Sequence, residues 1–438
     1  MKLHPFFLNY LLFLICSQTA LAIPTIEQWQ TNNGAEVYFI ATPELPMVNI
    51  EMTFNAGSAR DGNYPGLAKL TAKMLDEGAD GQSADHIAEH FDNLGAQFAS
   101  SVDNDHATLS LQTLTDEDVL PMALEMFAKL LAKPDFEITA FERVRQQTIL
   151  SLQDEEQQPS AIAEKAFYQA TFADHPYAIP SSGTTDSITA LTPEQLKAFH
   201  AQYYVAKNAI LAIVGALNRT QAQQVAEKIT NLLPIGNPAP NLPKVATLSA
   251  SKTIHIPFPS TQTHILTGQP GMARNDPDYF VLYVGNYILG GGGLTSRLGV
   301  EIREKRGLVY NVYSYFNPLQ VNGPFLAGLE TRNEQAEPAK QLVQNLLHDF
   351  IAKGPSDAEL AEAKQSIIRR FPLRIKSNSQ LVSQLSTIGS YHLPLDYLNT
   401  FNQKIEAITL EQIKETFLRR LQLDKWVTIT VGGGKNSK

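Results

Sequence analysis

The second half of this chain repeats the first, and that repeat limits the possible folds more than any other feature. Ile188-Thr189-Ala190-Leu191-Thr192-Pro193-Glu194-Gln195-Leu196-Lys197 matches Ile405-Glu406-Ala407-Ile408-Thr409-Leu410-Glu411-Gln412-Ile413-Lys414 at an offset of 217 (405 minus 188). At that offset Val214-Gly215 also meets Val431-Gly432. Gly57-Ser58-Ala59-Arg60 returns as Gly271-Met272-Ala273-Arg274 at an offset of 214, and Arg145-Gln146 as Lys364-Gln365 at 219. Matches in one order at nearly one offset read as two copies of a module of about 200 residues, a common domain size.

The module is of mixed type. Glu36–Ile40 and Val48–Phe54 read as strands, the second because Val48, Ile50, Met52 and Phe54 alternate with Asn49, Glu51 and Thr53. Gly66-Leu67-Ala68-Lys69-Leu70-Thr71-Ala72-Lys73-Met74-Leu75-Asp76-Glu77-Gly78 is a helix frame, an apolar stripe between two glycines. Gln97–Val102 and Ala107–Leu114 form a strand pair about the Asp103-Asn104-Asp105 turn. Ala140–Gln158 is a long amphipathic helix ended by Pro159, and Thr192-Pro193-Glu194 starts another, with Thr192 as N-cap. Residues 233–247 are proline-rich and read as an extended linker. The domains expected are therefore 23–232 and 248–438, preceded by a targeting segment over 1–22.

That segment has Lys2 and His4 near its start, an apolar run from Phe6 to Cys16 and small residues at Ala20-Leu21-Ala22. This is the layout of a secretory signal peptide cut after Ala22. The run is too short for a membrane span. A lipoprotein signal on Cys16 would want a small residue where Ile15 stands. Cys16 is the only cysteine, so the mature chain holds no disulfide, and a Gram-negative periplasm suits it. A net charge of −9 without a long basic run argues against nucleic acid and anionic membranes as partners.

The doubled module, the Gly-Leu-Ala helix opening and the later Ser296-Arg297-Leu298…Ile302-Arg303-Glu304-Lys305-Arg306-Gly307-Leu308-Val309-Tyr310 together resemble the pitrilysin (insulinase-like) zinc metallopeptidase family, and more narrowly its short bacterial and mitochondrial-processing-peptidase branch. His175-Pro176-Tyr177 with Gly183, and Phe199–Tyr204 with Asn208, add to it. The resemblance covers roughly residues 25–434. In that family a His-x-x-Glu-His helix follows Gly-Leu-Ala. Two imidazoles one turn apart grip zinc, the glutamate activates the metal-bound water, and a glutamate some seventy-five residues on completes the ligand set. Laid onto this chain, those positions are Lys69, Ala72, Lys73 and a residue near Leu150 (Ser151 if the register slips by one). An ammonium has donors only and cannot ligate a metal, and Ala72 cannot move a proton.

His86-Ile87-Ala88-Glu89-His90 is itself a His-x-x-Glu-His string, with Glu164 as a distant third ligand by count. It stands on the next helix, where the family has an ordinary surface helix. Ile87, Phe91 and Leu94 form the buried stripe there and leave His86 and His90 toward the flank.

In the second half, Gly290-Gly291-Gly292-Gly293 lacks the Gly-Lys-Ser/Thr ending of a phosphate loop. It resembles in composition the glycine-rich loop of the non-catalytic processing-peptidase subunit, which makes Gly291 and Gly292 candidates for substrate contact. Flexible hinge is the competing reading. Arg303 and Tyr310 stand at the spacing of the family's arginine–tyrosine pair, which reaches across to substrate at the zinc site. Arginine supplies fixed donors to a peptide carbonyl and tyrosine a hydroxyl to the oxyanion. Otherwise Arg303 pairs with neighbouring acids and Tyr310 is core.

The resemblance thus implies an α+β protein of two homologous domains, each a mostly antiparallel sheet with helices packed on one side. It implies a catalytically inactive, exported subunit with no cofactor of its own. Its partner would be a pitrilysin-like chain carrying an intact His-x-x-Glu-His and the zinc, and the two would close around unfolded peptides bound by strand addition. The rivals are an active zinc peptidase using His86, Glu89 and His90, and a stand-alone peptide-binding or structural protein.

Overall fold

A computed structural model describes residues 25–434; the signal segment expected over 1–22 lies outside them. The first half runs β1 (Glu27–Gln30), β2 (Glu36–Ala41), β3 (Met47–Phe54), α1 (Leu67–Lys73), the short pair β4 (Gly78–Ala79) and β5 (Gln82–Ser83), α2 (Ala84–Asn93), β6 (Gln97–Val102), β7 (Ala107–Leu114), α3 (Val119–Ala132), α4 (Ile138–Glu155), α5 (Pro159–Phe172), α6 (Thr185–Ala190), α7 (Pro193–Tyr203), β8 (Ala209–Gly215) and α8 (Arg219–Thr230). The second runs β9 (Lys252–Ile256), β10 (Gln262–Pro270), α9 (Tyr279–Asn286), two π-helical turns (Tyr287–Gly291 and Gly299–Glu304), β11 (Asn311–Phe316), β12 (Pro324–Arg332), α10 (Ala336–Lys353), α11 (Asp357–Arg370), α12 (Asn378–Ser390), α13 (Tyr397–Glu406), α14 (Leu410–Arg420) and β13 (Val427–Val431). Pro159 does not merely stop α4; it opens α5 at the first helical position, where its missing N–H costs nothing. The matched Thr192 and Thr409 both cap their helices, each inside a capping box.

The repeat is carried into strand order. The first sheet reads β1-β2-β8-β3-β7-β6 and the second, from its other edge, β9-β13-β10-β12-β11. In each, one pair is parallel (β2 with β8, β9 with β13) and the other pairings are antiparallel. β1 is an extra edge strand with no second-half counterpart.

Most helices of each half cover one face of their own sheet, and the two halves exchange one helix for the other face. From α5, Ala163 and Phe167 pack into Leu266, Leu326, Val427, Ile429 and Val431 of the second sheet. From α12, its counterpart, Leu381, Val382, Leu385 and Ile388 share a core with Tyr38, Ile40, Ala212 and Val214 of the first sheet. Each exchanged aromatic or leucine side chain removed from water contributes about 2–3 kcal/mol. The exchange also changes the reading of β3. Period two leaves Asn49, Glu51 and Thr53 on a polar face, yet Asn49 and Thr53 are buried. Asn49 donates to Gln112 Oε1 at 3.1 Å. The Thr53 hydroxyl meets the Ser386 hydroxyl of α12 at 2.7 Å. Burial under α12 raises the Glu51 carboxyl above its ordinary range.

The linker has no regular structure but is tied down. The Ala206 and Lys207 amides donate to Pro234 and Ile235 carbonyls. Arg60 Nη1 donates to the Pro240 carbonyl, and His175 Nε2 donates to the Pro243 carbonyl at 3.0 Å. Much of the His175-Pro176-Tyr177 signature is thus spent on strapping this segment.

Candidate functional site

The pocket corresponding to a metal site is built on α1. Asp61 fixes where that helix begins: its carboxylate accepts from the Gly66 amide at 2.7 Å and the Ala68 amide at 2.8 Å. Burial pushes this carboxyl up to about 7 against the pull of those two amides. The helix then presents Lys69 and Lys73 one turn apart, with Ala72 buried beside them. Lys69 Nζ donates to Ser182 Oγ at 2.8 Å and Lys73 Nζ to Thr148 Oγ1 at 3.2 Å. Burial and the neighbouring Lys69 charge lower the Lys73 pKa, and Glu155 partly offsets them. The helix is shorter than the Gly66–Gly78 frame suggests, ending at Lys73 with Met74 as its C-cap.

The fourth position needs correcting. Leu150 is 61% exposed and Ser151 is exposed as well. The buried stripe of α4 is Phe141, Val144, Thr148 and Leu152, so the residue facing Lys73 is Thr148. A count along the sequence places this position only to within two residues, and on a helix two residues is the opposite face. The set Lys69, Ala72, Lys73 and Thr148 has no side chain able to ligate zinc except a hydroxyl, so these residues do not fit the metal.

The second His-x-x-Glu-His string lies on α2. His86 and Glu89 are exposed, while Ile87 and Phe91 are buried. His90 Nε2 contacts the Met122 carbonyl at 3.3 Å. Glu164 lines a separate cleft with Glu155, Glu156 and Ser182. Among the described residues no three His, Cys, Asp or Glu side chains are grouped to hold a metal ion.

The second-half candidates separate. Gly290–Gly293 does not form a free loop. Gly290 and Gly291 close the first π-helical turn, where a Cβ on Gly290 would stand 2.5 Å from the Ser314 amide nitrogen and one on Gly291 2.8 Å from Asn286 Nδ2. A Cβ on Gly292 would stand 2.8 Å from the Tyr287 carbonyl oxygen. Close packing accounts for these glycines. Gly291 nonetheless reaches a cleft wall. Arg303 and Tyr310 do come together, the guanidinium 5.4 Å from the ring centroid. Tyr310 is 79% exposed and is not core. Glu301, the nearby acid, pairs instead with Lys305 and Arg306.

Sequence reasoning missed Asp105. This buried carboxylate accepts from Tyr177 Oη at 2.6 Å, from Tyr391 Oη at 3.1 Å and from the Gln320 amide at 2.7 Å. Burial raises its pKa. The only sequence signal was an aspartate in a hairpin turn, which reads as a turn former.

Two repeated α+β halves with a helix frame that has kept its cap and lost its ligands define a zinc-peptidase scaffold in a non-catalytic form. The family model described as insulinase (peptidase family M16) matches residues 36–185, and that described as peptidase M16 inactive domain matches residues 190–367. A crystal structure of a peptidase M16 inactive domain from Pseudomonas fluorescens is 39% identical and superposes with a TM-score of 0.90, over 94% of this chain and 99% of that one. A Helicobacter pylori protein named non-peptidase homolog YmxG is 29% identical over 403 residues, 90% of this chain and 91% of that one. A Bacillus subtilis protein named uncharacterized zinc protease YmxG is 22% identical over 396 residues, 89% of this chain and 94% of that one. This chain belongs to peptidase family M16, as an inactive member. Among the described residues no helix is long and apolar enough to cross a membrane.

Proposed function

We propose that this chain is the exported, non-catalytic subunit of a heterodimeric zinc peptidase, periplasmic in location, and that it lends Arg303 and Tyr310 to a zinc-bearing M16 partner. The observation that carries this reading is Tyr310. The residue is 79% exposed, with the Arg303 guanidinium over its ring, although large aromatic side chains usually bury. Nothing in this chain's own pocket calls for an oxyanion donor, since Ala72 stands where a general base would be. A hydroxyl beside a guanidinium is the pair a partner's active site needs for a peptide carbonyl that becomes an oxyanion. Gly291 and Gly292 would border the peptide's path, and the zinc would be held wholly by the partner.

The test is co-expression with an M16 chain bearing an intact His-x-x-Glu-His. Addition of this chain should raise the partner's turnover of unfolded peptides. Tyr310→Phe should lower kcat by about 10²-fold, the cost of removing one oxyanion donor. Arg303→Ala should act mainly on KM. Unchanged activity in both variants, or chelator-sensitive turnover by this chain alone that is lost in Glu89→Gln, overturns the reading.

A further inference from the structure

A cleft of about 1080 Å³ opens in the second half, at the place that corresponds to the ligand-free pocket of the first. At the repeat offsets given above, Tyr283 and Tyr287 answer to Lys69 and Lys73, and Arg370 and Arg374 to Ser151 and Glu155. The bridge between helices recurs as well. The Tyr287 and Ser366 hydroxyls are hydrogen-bonded at 2.6 Å, tying the end of α9 to α11, as Lys73 and Thr148 tie α1 to α4.

The chemistry of the two places differs. Tyr279 and Tyr283 lie parallel, 6.1 Å between centroids, and the Arg374 guanidinium sits 5.8 Å from the Tyr283 ring. Arg370 and Arg374 both line the cleft, and no aspartate or glutamate does. The arginine–carboxylate pairs of this half use Arg297, Arg306, Arg332, Arg419 and Arg420 instead. In a chain of net charge −9, two arginines that pair with no carboxylate among the described residues make a receptor for carboxylates, while Glu164 stands near Tyr313 and Tyr315 on the β11 side.

Shape narrows the ligand. Every residue of β11, Asn311 to Phe316, lines the cleft. Side chains alternate between the faces of a strand, so a cleft lined by both must follow the strand's edge. β11 is the edge strand of its sheet. Six residues of strand give a trough of about 20 Å, suited to an extended chain rather than to a compact metabolite.

We propose that this cleft binds an extended acidic stretch of polypeptide, its carboxylates on Arg370 and Arg374 and an apolar or aromatic side chain on the Tyr279–Tyr283 face. Gln380 and Gln384, one turn apart on α12, supply amides to the bound backbone. The assignment rests on the reading of this chain as a peptide-handling subunit, yet it is tested without a partner.

The experiment uses the purified chain and a fluorescein-labelled peptide of about ten residues with alternating glutamate and phenylalanine, read by anisotropy. A peptide with glutamine in place of glutamate is the control. The acidic peptide should bind at least about tenfold tighter, with affinity falling as salt is raised. Arg370→Gln with Arg374→Gln should remove that preference, and Tyr283→Ala should weaken both peptides. The arginines are exposed, so circular dichroism melts should match wild type. Equal affinity for the two peptides, an arginine double variant that binds like wild type, or tighter binding of an oligonucleotide than of the acidic peptide overturns the proposal. Loss of binding only on Lys69→Met with Lys73→Met also overturns it, by moving the receptor to the first half. Failure here leaves the Tyr310 test with a partner untouched, and failure of that test leaves this one standing.

Discussion

The Tyr391 hydroxyl donates to the buried carboxylate of Asp105 across 3.1 Å and 286 residues of sequence. Asp105 turns the first half's β6–β7 hairpin and Tyr391 ends the exchanged helix of the second half. The same carboxylate takes the Gln320 amide and the Tyr177 hydroxyl, so one side chain pins four segments. Tyr391→Phe should cost about 1–2 kcal/mol in urea unfolding, and Asp105→Ala about 3 kcal/mol or more, because it strands three donors. Changes within 0.5 kcal/mol for both, on the order of an ordinary surface substitution, would remove Asp105 from this role.

Thr148, not Leu150, faces the former metal position. The combination Lys69→His, Ala72→Glu, Lys73→His and Thr148→Glu should therefore bind about one zinc per chain by metal analysis after dialysis. The same set with Leu150→Glu in place of Thr148→Glu should bind it at least about tenfold more weakly, since position 150 faces solvent and cannot complete the ligand set. Equal zinc binding by the two sets would return the fourth position to doubt.

Asp61 sets a pH dependence. Its folded pKa of about 7 lies above the ordinary aspartate value of 3.8, so between those values the folded chain keeps a proton that the unfolded chain has released. Its stabilising contribution is complete below about pH 4 and is lost as pH rises to 7, by about 1.4 kcal/mol per unit at most. Asp61→Asn should flatten this slope and, by leaving one amide unpaired, lower stability by about 1–3 kcal/mol at acid pH. Parallel stability profiles for wild type and variant from pH 4 to 7 would contradict the assignment.

Gly389 lies where α12 crosses the first sheet. A Cβ there would stand 2.5 Å from Ile210 Cγ2 and 2.7 Å from a Tyr38 ring carbon. Gly389→Ala should cost about 1–3 kcal/mol through overpacking, although alanine is the better helix former. A raised melting temperature would show that the contact yields.

Much of the fold was legible. The repeat offset gave two copies of one module, and the matching strand orders are consistent with it, because the same apolar spacing in the same sequence order has few ways to pair. The exchange of α5 and α12 was not legible. An amphipathic stripe on Ala163 and Phe167 states that a helix face must be buried, but not against whose sheet. The alternation in β3 likewise does not state what covers its polar side. At the site, Lys69, Ala72 and Lys73 were placed by their distance from Gly66 along one rigid helix. Thr148 was missed because loops and six intervening elements separate it from α1, and a count does not carry helical phase across them. Asp105 was invisible because its partners lie in three other segments.

The exchanged helices restrict how this chain can move. In each half, one face of the sheet is sealed by a segment that belongs to the other, which is the connectivity of a swapped homodimer whose two copies have been joined by the 233–247 segment. Opening such a body along the boundary between its halves would expose both cores at once, so the halves have no cheap relative degree of freedom. Under the proposed pairing with a zinc-bearing chain, a gate that admits a long peptide would then lie between the two chains. Cutting the linker should leave a two-fragment assembly whose dissociation is as costly as unfolding.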